Sequence, residues 1–145
     1  MCELNGVDII FKDLFHLYKN VIQKALSNHG IYFGQHFILL LLKDNGGMSQ
    51  KELADSLNIK PSTINVVLKR MEKSGLLRRE PDKEDMRRTH IYLTQKGEDS
   101  YYECVRITKQ IREKCFWGFS DTEKRDAYHY CGRIIENLTR LKEVR

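Results

Sequence analysis

Along the N-terminal stretch, Ile10, Leu14, Leu17, Tyr18, Val21 and Ala25 recur at steps of three and four, the period of one face of an α-helix. The pattern predicts a single amphipathic helix over residues 7–28, with Gly30 as its stop. Residues 37–42 are then apolar without interruption. A helix over residues 34–44 that carries such a run should be buried on nearly all sides, which makes it the expected centre of the core. Asn45-Gly46-Gly47 ends it.

A close pair of short helices is expected next. Ser49-Gln50-Lys51-Glu52 has the form of a capping box, in which a serine hydroxyl and a glutamate carboxylate take up amides left unpaired at a helix start. Leu53, Ala54 and Leu57 supply a short apolar stripe, and Asn58-Ile59-Lys60 turns the chain. Pro61 suits the first position of the following helix, where a missing amide hydrogen costs nothing. That helix should run to Ser74 and bury Ile64, Val67, Leu68 and Met71, with Gly75 and Leu76 as its C-terminal stop.

Beyond Gly75 the period shortens. Residues 76–80 and 89–93 read as strands, the second alternating Ile91 and Leu93 with His90 and Tyr92. Residues 81–88 between them are polar and charged, so the segment reads as a β-hairpin with a protruding basic tip. Thr94 can cap a helix of about 23 residues ending near Trp117, roughly 35 Å long. Gly118 stops it, and Ser120-Asp121-Thr122-Glu123 repeats the capping box before a last helix.

In that last helix Ala127, Cys131, Ile134, Leu138 and Leu141 alternate steps of four and three, a narrow seam of the coiled-coil kind. Such a seam needs a partner. One choice is the stripe Tyr101, Cys104, Thr108, Ile111 and Cys115 on the preceding helix; the other is a second copy of the chain. With a long first helix at the opposite end of the sequence, a symmetric dimer is expected, its contacts including Ile10, Leu14, Ile134, Leu138 and Leu141.

Composition narrows the class. The 145 residues are 41% hydrophobic and 31% charged with only two prolines, unlike disordered, collagenous or disulfide-scaffold chains. The longest apolar run is far short of the ~20 residues that a membrane span requires. The first six residues lack the basic-then-apolar order of a secretory signal, so a cytoplasmic location without membrane contact is expected. Cys2, Cys104, Cys115 and Cys131 form no C-x-x-C pair and read as buried thiols in a reducing compartment. No metal or cofactor is expected, although His and Cys ligands can converge from distant positions. There is no nucleophile motif, Gly-rich phosphate loop or carboxylate pair, so no enzyme is expected.

The formal net charge is +5, and its location matters more than its size. Residues 60–96 hold ten basic side chains against five acidic ones, and the rest of the chain is balanced. An excess confined to one quarter of the sequence describes a face for a polyanion. The alternative is a charged, exposed loop.

The order of elements, together with particular runs, resembles the MarR family of winged helix-turn-helix transcriptional regulators over nearly the full chain. The runs are Ser49-Gln50-Lys51-Glu52-Leu53-Ala54, then Arg70-Met71-Glu72-Lys73-Ser74-Gly75-Leu76-Leu77-Arg78-Arg79, and Asp82-x-x-Asp85-x-Arg87 leading into Leu93-Thr94-x-Lys96-Gly97. The last is the most specific. The resemblance implies a mainly α fold: a winged helix-turn-helix with a two-stranded β wing, and a dimerisation region built from N- and C-terminal helices. Residues 33–97 would form the DNA-binding region, and residues 1–32 and 98–145 the dimerisation region. It further implies a homodimer on a pseudo-palindromic operator in double-stranded DNA, with the second helix of each motif in the major groove and the wing beside it. Its expected mode is repression, released by a small molecule or a stress signal.

Side-chain chemistry agrees with that docking independently. Opposite its buried stripe, the helix from Pro61 presents Ser62, Thr63, Asn65, Val66, Lys69 and Arg70. Short hydroxyls near a helix N-terminus suit phosphates, and asparagine can pair bidentately with adenine. Ser49, Gln50, Arg79 and Arg88 complete the expected contacts. Arg87 takes the position that the family pattern gives to the wing tip, where a guanidinium can enter a narrow minor groove. Asp85 would orient that arginine or close the turn. The alternatives are ordinary solvent exposure for the helix residues and a salt bridge within the hairpin for Asp85 and Arg87.

Two departures from the family pattern limit what carries over. Many members have arginine immediately after the position of Asn65, where Val66 can touch a thymine methyl but cannot bind guanine, so the operator sequence does not transfer. Peroxide-sensing members place a reactive cysteine within the first helix, whereas Cys2 precedes it. Phe15, Tyr18, Phe33, Phe37 and Tyr101 could line an effector pocket or simply pack the core. The competing reading is a winged-helix protein-interaction module without DNA binding, which would keep the core and the seams but carry a neutral or acidic 60–96 segment.

Overall fold

The computed structural model describes residues 4–143, apart from the side chains of residues 4, 5, 33, 142 and 143. The elements run α1 (Leu4–Ser27), α2 (Phe33–Asn45), α3 (Gln50–Leu57), α4 (Pro61–Lys73), β1 (Leu77–Pro81), β2 (Thr89–Leu93), α5 (Gln95–Cys115) and α6 (Asp121–Glu143). This is the mainly α, winged helix-turn-helix class that the sequence pattern predicts. The chain divides into two compact units, Met1–Lys109 and Gln110–Arg145.

In the first unit the core forms around α2, which packs on α1, α3, α4 and β2. Its Ile38, Leu39 and Leu42 are buried with Leu53, Ile64, Leu68, Met71 and Ile91. The apolar run does not bury the whole circumference, as its composition suggested it would: Leu40 and Leu41 are half-buried and Phe37 is 41% exposed. In α1 the buried residues are Ile22 and Leu26, in its last turns, whereas Ile10, Leu14, Leu17, Tyr18 and Val21 are exposed. Periodicity identified an apolar face there, and the chain itself covers only the end of that helix.

Local rules set the helix ends. At the start of α3 the Ser49 Oγ accepts from the Glu52 amide at 3.2 Å, while the Ser49 amide donates to Glu52 Oε2 at 2.7 Å. Pro61 opens α4. At the far end of α4, Leu76 N–H donates to Met71 O and Gly75 N–H to Glu72 O, both at 2.9 Å. These two bonds form a Schellman stop, which requires the left-handed backbone (φ 76°) that glycine adopts without strain.

β1 and β2 pair antiparallel from Leu77 opposite Leu93 to Pro81 opposite Thr89. β1 begins and ends one residue later than expected, because Leu76 serves the stop of α4 and Pro81 can end an edge strand without an N–H. Met48 adds a short bridge on Ile91, with Ile91 N–H donating to Met48 O at 2.8 Å. Thr94 then ties the hairpin to α4: its hydroxyl donates to Gly75 O at 2.6 Å and accepts from Gly97 N–H at 3.1 Å. Lys96 Nζ adds a bond to Ser74 O at 2.7 Å. A Cβ at residue 97 would stand 2.1 Å from Leu76 O, so this junction closes only around glycine.

In the second unit the Ser120 amide donates to Glu123 Oε2 at 2.7 Å and Ser120 Oγ accepts from the Glu123 amide at 3.2 Å, so α6 opens with the expected box. α5 ends at Cys115, two residues before the predicted end. Along α6, Ala127 and Ile134 are half-buried, whereas Leu138 and Leu141 are 60% and 71% exposed.

The expectation of uniformly buried thiols is corrected in part. Cys104 is buried, but Cys115 and Cys131 are exposed, because the stripes that carry them are not fully covered by the chain. Burial pushes the Cys104 thiol up to about 11, with the neighbouring Glu103 carboxylate adding to the effect, so it stays a neutral packing group. Cys2 lies outside the described residues.

Candidate nucleic-acid interface

Helix α4 separates its residues by face. Ile64, Leu68 and Met71 are buried and Val67 is half-buried, while Ser62, Thr63, Val66, Lys69 and Arg70 are exposed and Asn65 is half-buried. The hydroxyls of Ser62 and Thr63 thus sit in the first turn, at the helix end whose dipole favours an anion, although the Thr63 and Ile64 amides already donate to Lys60 O at 3.0 and 3.1 Å. Ser49 and Gln50, half-buried, stand at the start of α3.

Two of the expected contact residues occupy special surroundings. The Arg79 Nε donates to Glu72 Oε2 at 3.2 Å, which ties β1 to α4. Arg70 lies near the far end of α4, where it lines a cleft of roughly 500 Å3 with Gly30, Tyr32, Gly34, Gln35, Val67 and Ser74. Arg78, absent from the expected set, lies over the Tyr92 ring at 5.1 Å and pairs with Glu80 at 3.1 Å.

The wing loop between β1 and β2 is organised by its own carboxylates. Asp82 Oδ1 accepts from the amides of Glu84 (2.7 Å) and Asp85 (2.9 Å), and Asp85 Oδ1 accepts from the Arg87 amide at 3.0 Å. Asp82 N–H donates to Arg88 O at 2.9 Å and Arg88 N–H to Asp85 O at 2.8 Å. Asp85 therefore closes the turn, through the backbone of Arg87, and its other oxygen meets Arg88 Nε at 3.6 Å. Arg87 and Arg88 are exposed.

Sequence reasoning did not single out Asp82 and His90 as a pair. His90 Nε2 lies 2.9 Å from Asp82 Oδ2, joining the two ends of the loop. The amides of Asp85 and Glu84, and then His90, hold the Asp82 carboxyl below the usual carboxylate range. The signal available was an aspartate and a histidine bracketing a loop, which becomes informative only once the register of the hairpin is known.

The remaining expected residues are placed as follows. Ile10 and Leu14 on α1, and Leu138 and Leu141 on α6, are exposed, and Ile134 is half-buried. Phe15, Tyr18 and Phe37 are exposed and Tyr101 is half-buried; the Phe33 side chain lies outside the described residues. A cleft of roughly 630 Å3 in the second unit is lined by other residues, among them Arg112, Phe116, Trp117, Phe119, Lys124 and Tyr128. Among the described residues no group of three or more His, Cys, Asp or Glu could hold a metal ion, and no helix is long and apolar enough to cross a membrane.

Comparison with known proteins matches this architecture. The MarR family model matches residues 31–89, from just before α2 through the wing loop to the first residue of β2. The chain is similar to the HTH-type transcriptional regulator TtmR of Methylorubrum extorquens, at 35% identity over 57% of this chain but only 42% of that protein. It is 22% identical to the HTH-type transcriptional repressor MdtR of Bacillus subtilis over 92% of this chain and 86% of that one. Among solved structures, the MepR–DNA complex of S. aureus superposes with a TM-score of 0.78 at 21% identity, covering 89% of this chain and 94% of that one. The HTH-type transcriptional regulator YwoH of B. subtilis is 31% identical over 77% of this chain and 80% of its own length. A likeness of that extent, joined to the family match across the helix-turn-helix and wing, establishes that the chain belongs to the MarR family of transcriptional regulators.

Proposed function

We propose that the chain is a homodimeric regulator that binds a pseudo-palindromic operator in double-stranded DNA and acts in the cytoplasm as a repressor. The observation that carries this reading is the pairing, on one winged helix-turn-helix, of the exposed polar face of α4 with a structured wing whose tip exposes Arg87 and Arg88. In it α4 enters the major groove: Ser62 and Thr63 contact phosphates, Asn65 and Val66 reach base edges, and Lys69 and Arg70 add charge. Ser49, Gln50 and Arg79 flank the groove. Arg87 enters the minor groove, with Asp85 fixing its backbone and Arg88 on the adjoining phosphates.

Residues 33–97 form the DNA-binding region in this reading, and 1–32 with 98–145 the dimerisation region. The exposed apolar residues Ile10, Leu14, Leu138 and Leu141, with half-buried Ile134, supply the surface that a second copy would bury. MdtR is called a repressor, and a dimer seated on a promoter excludes other proteins by occupancy. Release by a small molecule or stress signal would act through residues among Phe15, Tyr18, Phe33, Phe37 and Tyr101. No catalytic role is assigned to any of these residues.

Fluorescence anisotropy with a labelled duplex of mixed sequence, titrated over a range of salt, tests the reading. Each phosphate neutralised releases counterions, so log affinity should fall steeply and linearly with log salt. A flat slope, or no binding at low salt, would instead favour a winged-helix module that contacts protein.

A further inference from the structure

We propose that His90 and Asp82 form a clasp across the base of the wing, and that His90 is a positioning residue for DNA binding which acts through Arg87. The inference rests on the DNA-binding reading above and extends it to a residue that touches no DNA.

Besides its backbone bonds, the loop from Asp82 to Arg88 is shaped by the Asp82 carboxylate. Asp82 Oδ1 takes the amides of Glu84 and Asp85, which shapes the first half of the loop. Asp85 then takes the Arg87 amide, which fixes the backbone from which the tip guanidinium projects. The first two of these bonds depend directly on where the Asp82 carboxylate points, and they place Asp85 for the third. Its remaining oxygen, Oδ2, is held at 2.9 Å by the imidazole of His90 on the returning strand. His90 itself is half-buried, anchored by β-pairing opposite Glu80 and next to Ile91, which is 1% exposed. The clasp therefore runs from a paired strand with a buried neighbour to a carboxylate that shapes the loop. The loop side chains Lys83, Glu84, Met86 and Arg87 are exposed and supply no packing that could do the same task. A loop held in one shape loses less conformational entropy when its arginine enters a groove.

The test is a double-mutant cycle read by anisotropy on a mixed-sequence duplex at low salt, with far-ultraviolet circular dichroism and melting to confirm that each variant folds. His90→Ala should weaken binding about three- to tenfold, an effect of the size that coupled neighbours show. His90→Gln, whose amide nitrogen can reach the position of Nε2, should restore most of the affinity. In the Arg87→Ala background His90→Ala should have almost no further effect, because the residue it positions has gone. A general loss of stability would not produce that dependence on Arg87. If His90→Ala weakens binding equally with and without Arg87, or if His90→Gln behaves like His90→Ala, the clasp does not act through Arg87 and the inference is overturned while the DNA-binding reading stands. If the unmodified protein fails to bind the duplex, both fall together.

Discussion

Arg87 and Asn65 sit on different elements and would have different tasks in the proposed docking, and substitutions can separate them. Arg87 is exposed at the loop tip, and in the proposed docking it would enter a groove and sense its width and negative potential, so Arg87→Ala should weaken binding to many sequences nearly alike. Asn65, half-buried on α4, would read a base edge in that docking. Asn65→Ala should cost about 1–3 kcal/mol on the preferred site and little on mixed DNA. Competition between operator and random duplexes measures both, and an equal loss on both from Asn65→Ala would make that residue a phosphate contact. At this scale the sequence was readable where a motif fixes a local hydrogen bond, as Ser49 and Glu52 show. It was silent where the partner lies across a loop, as with Asp82 and His90, and where exposure depends on what covers a helix, as with Cys115 and Cys131.

Among the elements, the junction between α4, the hairpin and α5 is the least tolerant. Gly97→Ala would push a methyl group into the Leu76 carbonyl, 2.1 Å from its ideal place, and should destabilise the fold by about 3 kcal/mol or more. Denaturant titration reads this directly, and a loss below about 1 kcal/mol would mean that the backbone there yields easily. The two capping boxes give a pH dependence. The Ser49 amide and hydroxyl hold the Glu52 carboxyl below its usual range, and Ser120 does the same for Glu123. Groups lowered on folding stabilise the protein above their unfolded titration, and that stability is lost as pH falls through their folded values. Melting temperature should therefore drop on acidification, and Glu52→Gln with Glu123→Gln should make the curve shallower; an unchanged slope would remove the boxes from the account.

These boxes, Pro61, Gly75 and the strand Thr89–Leu93 were legible because each follows from neighbouring residues. The Met48 bridge to Ile91 was not, since pairing across more than forty positions leaves no local pattern. Nor was the partial burial of α2. An apolar run states what a helix would bury, and Phe37 shows that the chain alone does not always supply the cover.

At the scale of the whole molecule the same reasoning predicts a second copy. α1 exposes Ile10 and Leu14, and α6 exposes Leu138 and Leu141, each pair at helical spacing, a pattern that a second copy would cover. Sedimentation should give a dimer at micromolar concentration, and Leu138→Asp should split it, because an unpaired charge in a buried seam has no compensating partner. A monomer from the unmodified protein would remove the dimer and with it the symmetry of the operator.

That symmetry is where the account can be tested most directly, by selecting bound duplexes from a random DNA library with the full chain and sequencing what is retained. Two copies of α4 related by a two-fold axis predict an enriched pseudo-palindrome whose half-sites lie about one helical turn, roughly 10 base pairs, apart. Recovery of a single unrepeated half-site, or of no sequence above the starting pool, would contradict it.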